Sequence, residues 1–482
     1  MQWPVIRRII GVLIALFSFL QLVPMAVGVY YQDDGRWVFA FSFLLIFLVG
    51  LAIWWPVRKS SGSLRIRDGY VVVTAFWVGL GVTGAVPFLL EPSSDLSVMG
   101  AVFESISGLT TTGATVIVGL DELPKSLLFY RQWLQWFGGM GIIVLAVAVL
   151  PLLGIGGMQL YRAETPGPQK DSKLTPRIAQ TAKMLWAIYV GLTVLCASAY
   201  WWAGMTPFDA IGHAFSTVAI GGFSTHDASI GFFDNHLIES VAVVFMLISG
   251  LNFTLHYVAI RHLQFKQYWM DEEARFYLLV LAFVGLVTVL HLYISTNLSG
   301  ERAFFHGIFQ TVSIATTTGF TTAEYFYWPG VLPILLLFTS FVGGCSGSTG
   351  GGMKVIRVLL LFKQGLRELT RVVHPQARVQ IKIGDRPLPQ RLSEAVWGFF
   401  AAYVALFITL MLLLIATGEQ PLTAFSAVAA CINNLGPGLE DVGANYASVS
   451  DVGLLILTYA MLLGRLEIFT LLLLFTPVFW RK

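Results

Sequence analysis

The sequence predicts an all-α protein that crosses a membrane many times, built from four pseudo-symmetric helix–loop–helix repeats behind two extra N-terminal transmembrane helices. Three observations lead to this fold class: an apolar composition, about ten long apolar segments, and a short half-polar segment that recurs four times between them. Of the 482 residues, 56% are hydrophobic and only 12% are charged. Because soluble globular domains carry about 25% charged residues, lipid is the expected solvent.

Ten segments can be membrane elements, since a spanning helix needs roughly 20 mostly apolar residues. They are residues 5–31, 37–55, 69–90, 127–153, 184–203, 237–260, 276–294, 329–362 (interrupted), 396–416 and 452–480. A secretory signal is the alternative for the first segment, because Arg7 and Arg8 precede its apolar core. The segment is long for a signal, however, and shows no small-residue cleavage site.

The basic residues predict the orientation, because cytoplasmic loops are enriched in Lys and Arg. Lys and Arg gather before the first segment and after every even-numbered one. The opposite side receives only four of the 30: Arg36, Lys125, Arg131 and Arg302. Both termini are therefore predicted to be cytoplasmic.

The half-polar segments mark a fourfold repeat. The predicted units are two N-terminal helices (1–68) followed by repeats one (69–180), two (181–272), three (273–390) and four (391–482). Three repeats share a serine six residues before a common glycine and a hydroxyl two residues after it, whereas repeat four has Ala430 and Gly438 there. The aligned glycines are Gly113, Gly222, Gly319 and Gly436.

These segments are too short and too polar to span, which predicts four re-entrant pore loops around one pore. Irregular backbone in lipid is tolerated only where it is buried in protein or lines a water-filled cavity. Rings of backbone carbonyls can replace the water shell of a cation, and glycine adopts the backbone angles that this requires. One such turn alone is usually only a connection, but four equivalent copies favour a common site.

No acidic residue occurs in the four predicted strands, which favours a monovalent cation over Ca²⁺. The predicted selectivity filter consists of Thr110, Thr111, Thr112 and Gly113; Ala219, Ile220, Gly221 and Gly222; Thr316, Thr317, Thr318 and Gly319; and Asn433, Asn434, Leu435 and Gly436.

A glycine-rich run interrupts the eighth segment and predicts a broken inner helix in repeat three. Each glycine costs about 1 kcal/mol relative to alanine in a helix, so this run is expected to form a movable gate that faces the cavity. A phosphate-binding loop and a passive packing contact are the alternatives. The predicted gate consists of Gly343, Gly344, Cys345, Ser346, Gly347, Ser348, Thr349, Gly350, Gly351 and Gly352.

Arg465 is a charge inside the last apolar segment, and such charges are functional candidates by default. Glu467 is only two residues away, so it projects elsewhere and is not an in-helix partner. We expect Arg465 on the pore wall beside the gate, where it would repel a cation. The alternative is structural pairing with a carbonyl or carboxylate of another helix.

With these motifs, the chain resembles the Trk/Ktr/HKT superfamily of K⁺ and Na⁺ transporters, most closely its bacterial TrkH-type subunits. The resemblance covers nearly the whole chain, including residues 161–168. It implies low-affinity K⁺ uptake through one pore per subunit in the bacterial inner membrane, with Gly113 typical of K⁺ rather than Na⁺ permeation. It also implies a homodimer and a cytoplasmic nucleotide-binding TrkA-type regulatory subunit as partners.

Other function classes are less compatible with the sequence. It shows no metal-ligand spacing, no nucleophile with a base and no soluble catalytic domain, so we expect neither an enzyme nor an organic cofactor, and no nucleic-acid partner. The transported ion, K⁺, is the one expected ligand. Symport coupled to H⁺ or Na⁺ stays open, as does a poorly selective K⁺/Na⁺ channel, because segment 433–436 makes the ring unequal.

Overall fold

The computed structural model describes residues 1–62, 64–141, 178–377, 379–384, 386–387, 390–466 and 468–481. Within these ranges the regular structure is helical apart from one antiparallel hairpin of two short strands, β1 (Lys382–Ile383) and β2 (Arg386–Pro387). The predicted all-α class is therefore confirmed, with this hairpin as a small addition on the segment between repeats three and four.

Two N-terminal spans pack closely on each other. A Cβ at Gly50 would stand 2.5 Å from the Ala15 nitrogen, and one at Gly11 would stand 2.7 Å from the Trp54 nitrogen. Small residues allow helices to approach in this way in a membrane. The elements are α1 (Trp3–Ser18), a 3₁₀ turn (Phe19–Gln21), α2 (Leu22–Tyr31), α3 (Gly35–Trp54) and a second 3₁₀ turn (Trp55–Val57).

Repeats one and two follow, each with a short helix between longer ones. In repeat one they are α4 (Ile66–Gly84), α5 (Val86–Leu90), α6 (Val98–Leu109) and α7 (Lys125–Trp136), which continues as a π-helical turn (Phe137–Gly141). In repeat two they are α8 (Ile178–Trp202), α9 (Pro207–Ala219), α10 (His236–Ser249), α11 (Phe253–His262) and α12 (Lys266–Met270). The connections contain 3₁₀ turns at Pro92–Ser94, Leu120–Glu122 and Ser229–Phe233.

Repeats three and four show the same order of elements. In repeat three they are α13 (Glu272–Ser295), α14 (Gly300–Ala315), α15 (Leu332–Ser340) and α16 (Val355–Val373). In repeat four they are α17 (Gln390–Ala416), α18 (Pro421–Ile432), α19 (Asp451–Arg465), α20 (Phe469–Leu474) and α21 (Pro477–Trp480). Two 3₁₀ turns, Tyr325–Tyr327 and Glu440–Val442, lie after α14 and α18.

Six helical stretches among the described residues are long and apolar enough to cross a membrane, and a bent pair makes a seventh candidate. Six of the ten predicted elements coincide with these stretches, and the sixth element coincides with the bent pair. The fourth, 127–153, leaves the described residues after 141. The eighth is interrupted as predicted, since α15 ends at Ser340 and α16 begins at Val355.

Two predicted continuous spans are wrong. The sixth, 237–260, bends by 94° between α10 and α11. Helix α10 ends at Ser249, and Asn252 caps α11, since its side chain accepts a hydrogen bond from the Thr254 N–H at 2.8 Å. The last, 452–480, breaks after Arg465, and Ile468 has a left-handed φ of 32°. Arg465 therefore lies at a helix end rather than in the middle of a span.

The two chain ends lie together. The Trp3 and Trp480 rings stack 6.3 Å apart, and the Arg67 guanidinium donates to the Arg481 carbonyl at 2.5 Å. Both ends are thus on one side of the fold, in keeping with the predicted orientation, which itself remains a prediction. Residues 161–168, the basic residues Arg162, Lys170, Lys173 and Arg177, and Glu467 lie outside the described residues.

Candidate ion pathway at the centre of the four repeats

The four short helices α6, α9, α14 and α18 end in the same backbone turn. The residue two positions before each aligned glycine has a left-handed φ: 54° at Thr111, 54° at Ile220, 68° at Thr317 and 52° at Asn434. The next N–H then donates five residues back, at 2.8–2.9 Å, to the carbonyls of Ser107, Ser216, Ser313 and Ala430. This is the 6→1 bond of a Schellman helix end.

The shared serine of the sequence alignment is therefore a backbone acceptor in this turn. Repeat four makes the same bond through Ala430, from the Leu435 N–H at 2.8 Å. Its departure in sequence is thus not a departure in backbone structure. The four segments that follow these helix ends, 110–113, 219–222, 316–319 and 433–436, are called segments one to four below.

The four glycines of these segments close a ring. Each has a φ in the left-handed region: 80° at Gly113, 79° at Gly222, 85° at Gly319 and 98° at Gly436. A Cβ at each would come within 3.0 Å of a carbonyl oxygen of the next segment, closer than real Cβ atoms stand. The oxygens so placed are those of Gly221 beside Gly113, Thr318 beside Gly222, Leu435 beside Gly319 and Thr112 beside Gly436.

The contacts run from segment one to two, two to three, three to four and four to one, so the four segments meet in one closed ring. That the sixteen residues of these segments form a selectivity filter remains a prediction. Glycine is required there for two reasons, the positive φ and the neighbouring carbonyl. The four short helices also present their C-terminal ends, which carry partial negative charge. The arrangement can hold a dehydrated cation among carbonyl oxygens.

A buried ion pair supports segments one and two. Arg131 of α7 is 1% exposed, and its Nε donates to Glu104 Oε1 of α6 at 2.8 Å. The guanidinium also donates to Thr115 Oγ1 at 3.0 Å and to the Ser224 carbonyl at 3.1 Å, and it lies 4.2 Å from the centre of the Phe223 ring.

The sequence indicated neither the burial of these two charges nor their pairing. Arg131, counted with the few non-cytoplasmic basic residues, is buried among the repeats. Glu104 is a buried carboxylate on α6, outside the four acid-free segments. Its Oε2 accepts from the Val116 N–H at 3.0 Å, so the charge is fully partnered. Acid and base spaced 27 residues apart give no local sequence signal.

The glycine loop, residues 341–354, lies against the inner ends of the segments. Thr349 Oγ1 donates to the Val218 carbonyl at 3.0 Å, and the Gly351 N–H donates to Thr317 Oγ1 at 2.7 Å. The Gly352 N–H donates to the Asn433 carbonyl at 3.0 Å. The loop thereby touches repeats two, three and four next to the ring, and its role as a gate remains a prediction.

Arg465 links this loop to repeat one. Its guanidinium donates to the Thr349 carbonyl at 3.1 Å and to Thr111 Oγ1 at 3.3 Å. It also donates to the Gly138 and Gly139 carbonyls in the π-helical turn that continues α7. Arg465 thus lies beside the loop and is hydrogen-bonded to backbone carbonyls, while its place on a pore wall remains a prediction.

Glu273, which the sequence reasoning missed, holds both ends of the glycine loop. Its Oε1 accepts from the Ser346 N–H at 2.6 Å and from the Ile356 N–H at 3.2 Å, and the residue is 3% exposed. The preceding Glu272 forms an ion pair with Lys363 of α16. An acidic pair that opens a span, ahead of a glycine run 70 residues later, carries no recognisable motif.

A titratable cluster lies on the outer side of segment two. His226 Nδ1 pairs with Asp121, and its Nε2 lies 3.7 Å from Asp209 Oδ1. Burial lowers the pKa of His226, but hydrogen bonds to Asp209 and Asp121 outweigh it, and the pKa is raised above its usual value. For Asp209 burial opposes ionisation, yet hydrogen bonds from His226, Thr206 and Thr225 hold its pKa well below the usual range.

No group of three or more His, Cys, Asp or Glu side chains suited to a resident metal occurs among the described residues. The ring instead offers a cation the oxygens of its backbone and of its threonine and asparagine side chains.

Comparisons with known proteins agree with this geometry. The family model described as "TrkH: Cation transport protein" matches residues 35–482. The Trk system potassium uptake protein TrkH of Vibrio parahaemolyticus is 57% identical over the full length of both chains, and that of Escherichia coli K12 is 54% identical over the same span. The crystal structure of the potassium transporter TrkH from Vibrio parahaemolyticus superposes with a TM-score of 0.90 at 55% identity over all of both chains. The chain therefore belongs to the TrkH family of cation transport proteins and is a multi-pass membrane protein.

Proposed function

We propose that this chain takes up K⁺ through the ring formed by segments one to four. The observation that carries the proposal is the cyclic contact of the four glycines with the carbonyls of the neighbouring segments. The relatives named as potassium uptake proteins support K⁺ as the ion. The membrane potential supplies a driving force of about 2.3 kcal/mol per unit charge per 100 mV.

The chemistry of the ring fits a monovalent cation. The carbonyls of Thr112, Gly221, Thr318 and Leu435 substitute for water oxygens around the ion. The four segments carry no acidic side chain. Of the carboxylates on the short helices beside them, Glu104 is paired with Arg131, and Asp209 is hydrogen-bonded by Thr206 and Thr225. This argues for a channel rather than H⁺-coupled symport, since a proton relay needs a carboxylate that can release its partner.

The glycine loop and Arg465 form the gate in this proposal. The loop lies under the ring and hydrogen-bonds to repeats two, three and four directly and to repeat one through Arg465. Each neutral bond contributes about 1 kcal/mol and each bond to a charged group about 1.5–3 kcal/mol, so a partner that binds the open form can release the loop. The Arg465 charge opposes a cation beneath the ring while the loop is closed.

Control from the cytoplasm completes the proposal. With both termini cytoplasmic, α16 and the β1–β2 hairpin face the cytoplasm, where α16 connects directly to the glycine loop. A TrkA-type nucleotide-binding subunit docked there would move the loop, and the subunits would act as a homodimer.

Flux measurements test the proposal. Purified protein in liposomes should take up ⁸⁶Rb⁺ or K⁺ down an imposed potential, with Na⁺ competing weakly. Absence of uptake both with and without a nucleotide-binding partner subunit would reject it. Uptake that required a pH or Na⁺ gradient would instead favour symport.

A further inference from the structure

Segment two differs from the other three in having no polar side chain. Its residues are Ala219, Ile220, Gly221 and Gly222. In segments one and three, two threonine hydroxyls bond to each other at 2.7 Å, Thr110 to Thr112 and Thr316 to Thr318.

Segment four is also held by its own side chains. Asn433 Oδ1 accepts from the Tyr403 hydroxyl at 2.6 Å, and Asn434 Nδ2 donates to Thr112 Oγ1 at 3.0 Å. Segment two thus needs support from elsewhere in the fold.

Gln135 of α7 supplies that support. It is 0% exposed, its Nε2 donates to the Gly221 carbonyl at 2.6 Å, and its Oε1 accepts from the Phe223 N–H at 3.1 Å. The two bonds straddle Gly222, the ring glycine. The side-chain amide can do this because its nitrogen donates while its oxygen accepts.

The Gly221 carbonyl is one of the four ring oxygens. Among the described residues, no hydrogen bond reaches the other three, those of Thr112, Thr318 and Leu435. The amide also explains why position 221 is glycine where segments one and three have threonine: a Cβ there would stand 2.5 Å from Gln135 Cδ.

We propose that Gln135 is a positioning residue for ion selectivity, which does for segment two what the threonine pairs do for segments one and three. This rests on the proposed role of the ring as the K⁺ filter. A carbonyl has two lone pairs, so Gly221 can accept from Gln135 and still face an ion. Fixing this oxygen keeps the ring from contracting around the smaller Na⁺.

The test compares Na⁺ with ⁸⁶Rb⁺ uptake into liposomes by the full chain and its variants. Gln135→Leu retains volume but loses both hydrogen bonds, and it should raise the Na⁺/Rb⁺ uptake ratio roughly five- to tenfold, the factor typical of a buried hydrogen bond. Gln135→Glu should raise the ratio at least as much, because an ionised carboxylate has no proton to donate to the Gly221 carbonyl.

Gly221→Ala disturbs the same contact by adding a Cβ next to the Gln135 amide. It tests the proposal if the Gln135 variants do not fold. It should raise the ratio similarly, and the Gly221→Ala/Gln135→Leu double variant should be no worse than the worse single variant, because both remove one interaction. Gln21→Leu is the matched control: Gln21 is equally buried and donates to the Tyr130 hydroxyl at 3.2 Å, away from the ring.

An unchanged ratio in folded, conducting Gln135→Leu or Gly221→Ala protein would overturn the assignment, and so would additive effects of the two changes. A rise of the ratio in Gln21→Leu of the same size would also overturn it, since the effect would then be one of general stability. Absence of Rb⁺ uptake by the unaltered protein would instead reject the proposed function, and this inference with it.

Discussion

The ring and the loop beneath it are both rich in glycine, yet the glycines have different roles in the two regions. In the ring, each glycine is held by its φ and by a carbonyl of the next segment, and each short helix ends in the same turn. In the loop, Gly343 and Gly352 also have positive φ, 69° and 73°, and a Cβ at Gly351 would clash with the Asn433 carbonyl oxygen. Hydrogen bonds join the loop to repeats two to four directly and to repeat one through Arg465. The ring glycines brace one segment against the next around a closed cycle, whereas in the proposed mechanism the loop docks on the repeats through contacts that open together.

Substitution of a ring glycine should have the largest effect. Gly222→Ala places a Cβ against the Thr318 carbonyl and should lower Rb⁺ uptake about a hundredfold, the factor that corresponds to roughly 3 kcal/mol of local strain. Gly119→Ala is the matched control, since Gly119 has nearly the same φ, 81°, with nothing within 4 Å of its Cβ position. Equal losses in both variants would show that φ alone matters and would count against the ring contact.

Breaking the buried ion pair should weaken the support of the ring. Glu104→Gln leaves the Arg131 charge buried without its counter-charge and should lower the free energy of unfolding by roughly 3–5 kcal/mol. Thermal unfolding in detergent measures this loss. Adding Arg131→Met should recover part of the lost stability, because it removes the unpaired charge. A double variant less stable than Glu104→Gln would show that the two residues do not stabilise the fold as a pair.

Changes at the loop should increase flux rather than abolish it. Arg465→Ala removes the link from the Thr349 carbonyl to repeat one, as well as a positive charge under the ring. Rb⁺ uptake without any partner subunit should rise roughly tenfold, which corresponds to about 1.4 kcal/mol. Arg302→Ala, on the outer side, should leave uptake unchanged. A fall in uptake by Arg465→Ala would contradict the role of this residue in closure.

A smaller rise is expected from Glu273→Gln. The Glu273 carboxylate holds both ends of the loop through one oxygen. Because hydrogen bonds to charged groups contribute about 1.5–3 kcal/mol and neutral ones about 1 kcal/mol, the amide retains part of the contact, and uptake should rise a few-fold in the same assay. Unchanged uptake would place the movable part of the loop elsewhere.

The smallest effect is expected at the outer His226 cluster. Its pKa is raised in the folded protein, so its contribution to stability is fully present below the unfolded pKa, about 6.5, and is lost as the pH rises through the folded value. The melting temperature of the unaltered protein should therefore fall slightly more between pH 6 and pH 9 than that of His226→Gln. The difference in the free energy of unfolding should be roughly 1 kcal/mol. Parallel pH profiles of the two proteins would show that the contribution of the cluster to stability does not depend on protonation of His226.

The fold and the meeting of the four segments could be predicted from the sequence because the same pattern occurs in all four repeats. Four glycines at equivalent positions predicted the segments that meet, and the glycine run predicted the break at residues 341–354. The left-handed Ile220 could not be predicted, since a β-branched residue avoids that conformation and only the surrounding turn imposes it. Gln135, Glu104 and Glu273 were missed because each acts on a distant segment.

The breaks after Gly250 and Arg465 were also missed. Polar residues occur at both breaks, Asn252 at the first and Arg465 at the second, but apolar residues continue on either side. Averaged hydropathy does not register a helix that ends because its backbone is bonded elsewhere. At the first break the Cys345 N–H donates to the Gly250 carbonyl at 2.8 Å, a tertiary contact with the loop that no local pattern indicates.

The most direct test of the central claim is to locate the ion. Anomalous diffraction from crystals of the protein grown with Rb⁺ should show density on the axis enclosed by the carbonyls of Thr112, Gly221, Thr318 and Leu435. That density should be lost in Gly222→Ala and retained in Gly119→Ala. Rb⁺ density outside the ring, or a ring without Rb⁺ in a protein that conducts it, would contradict the account.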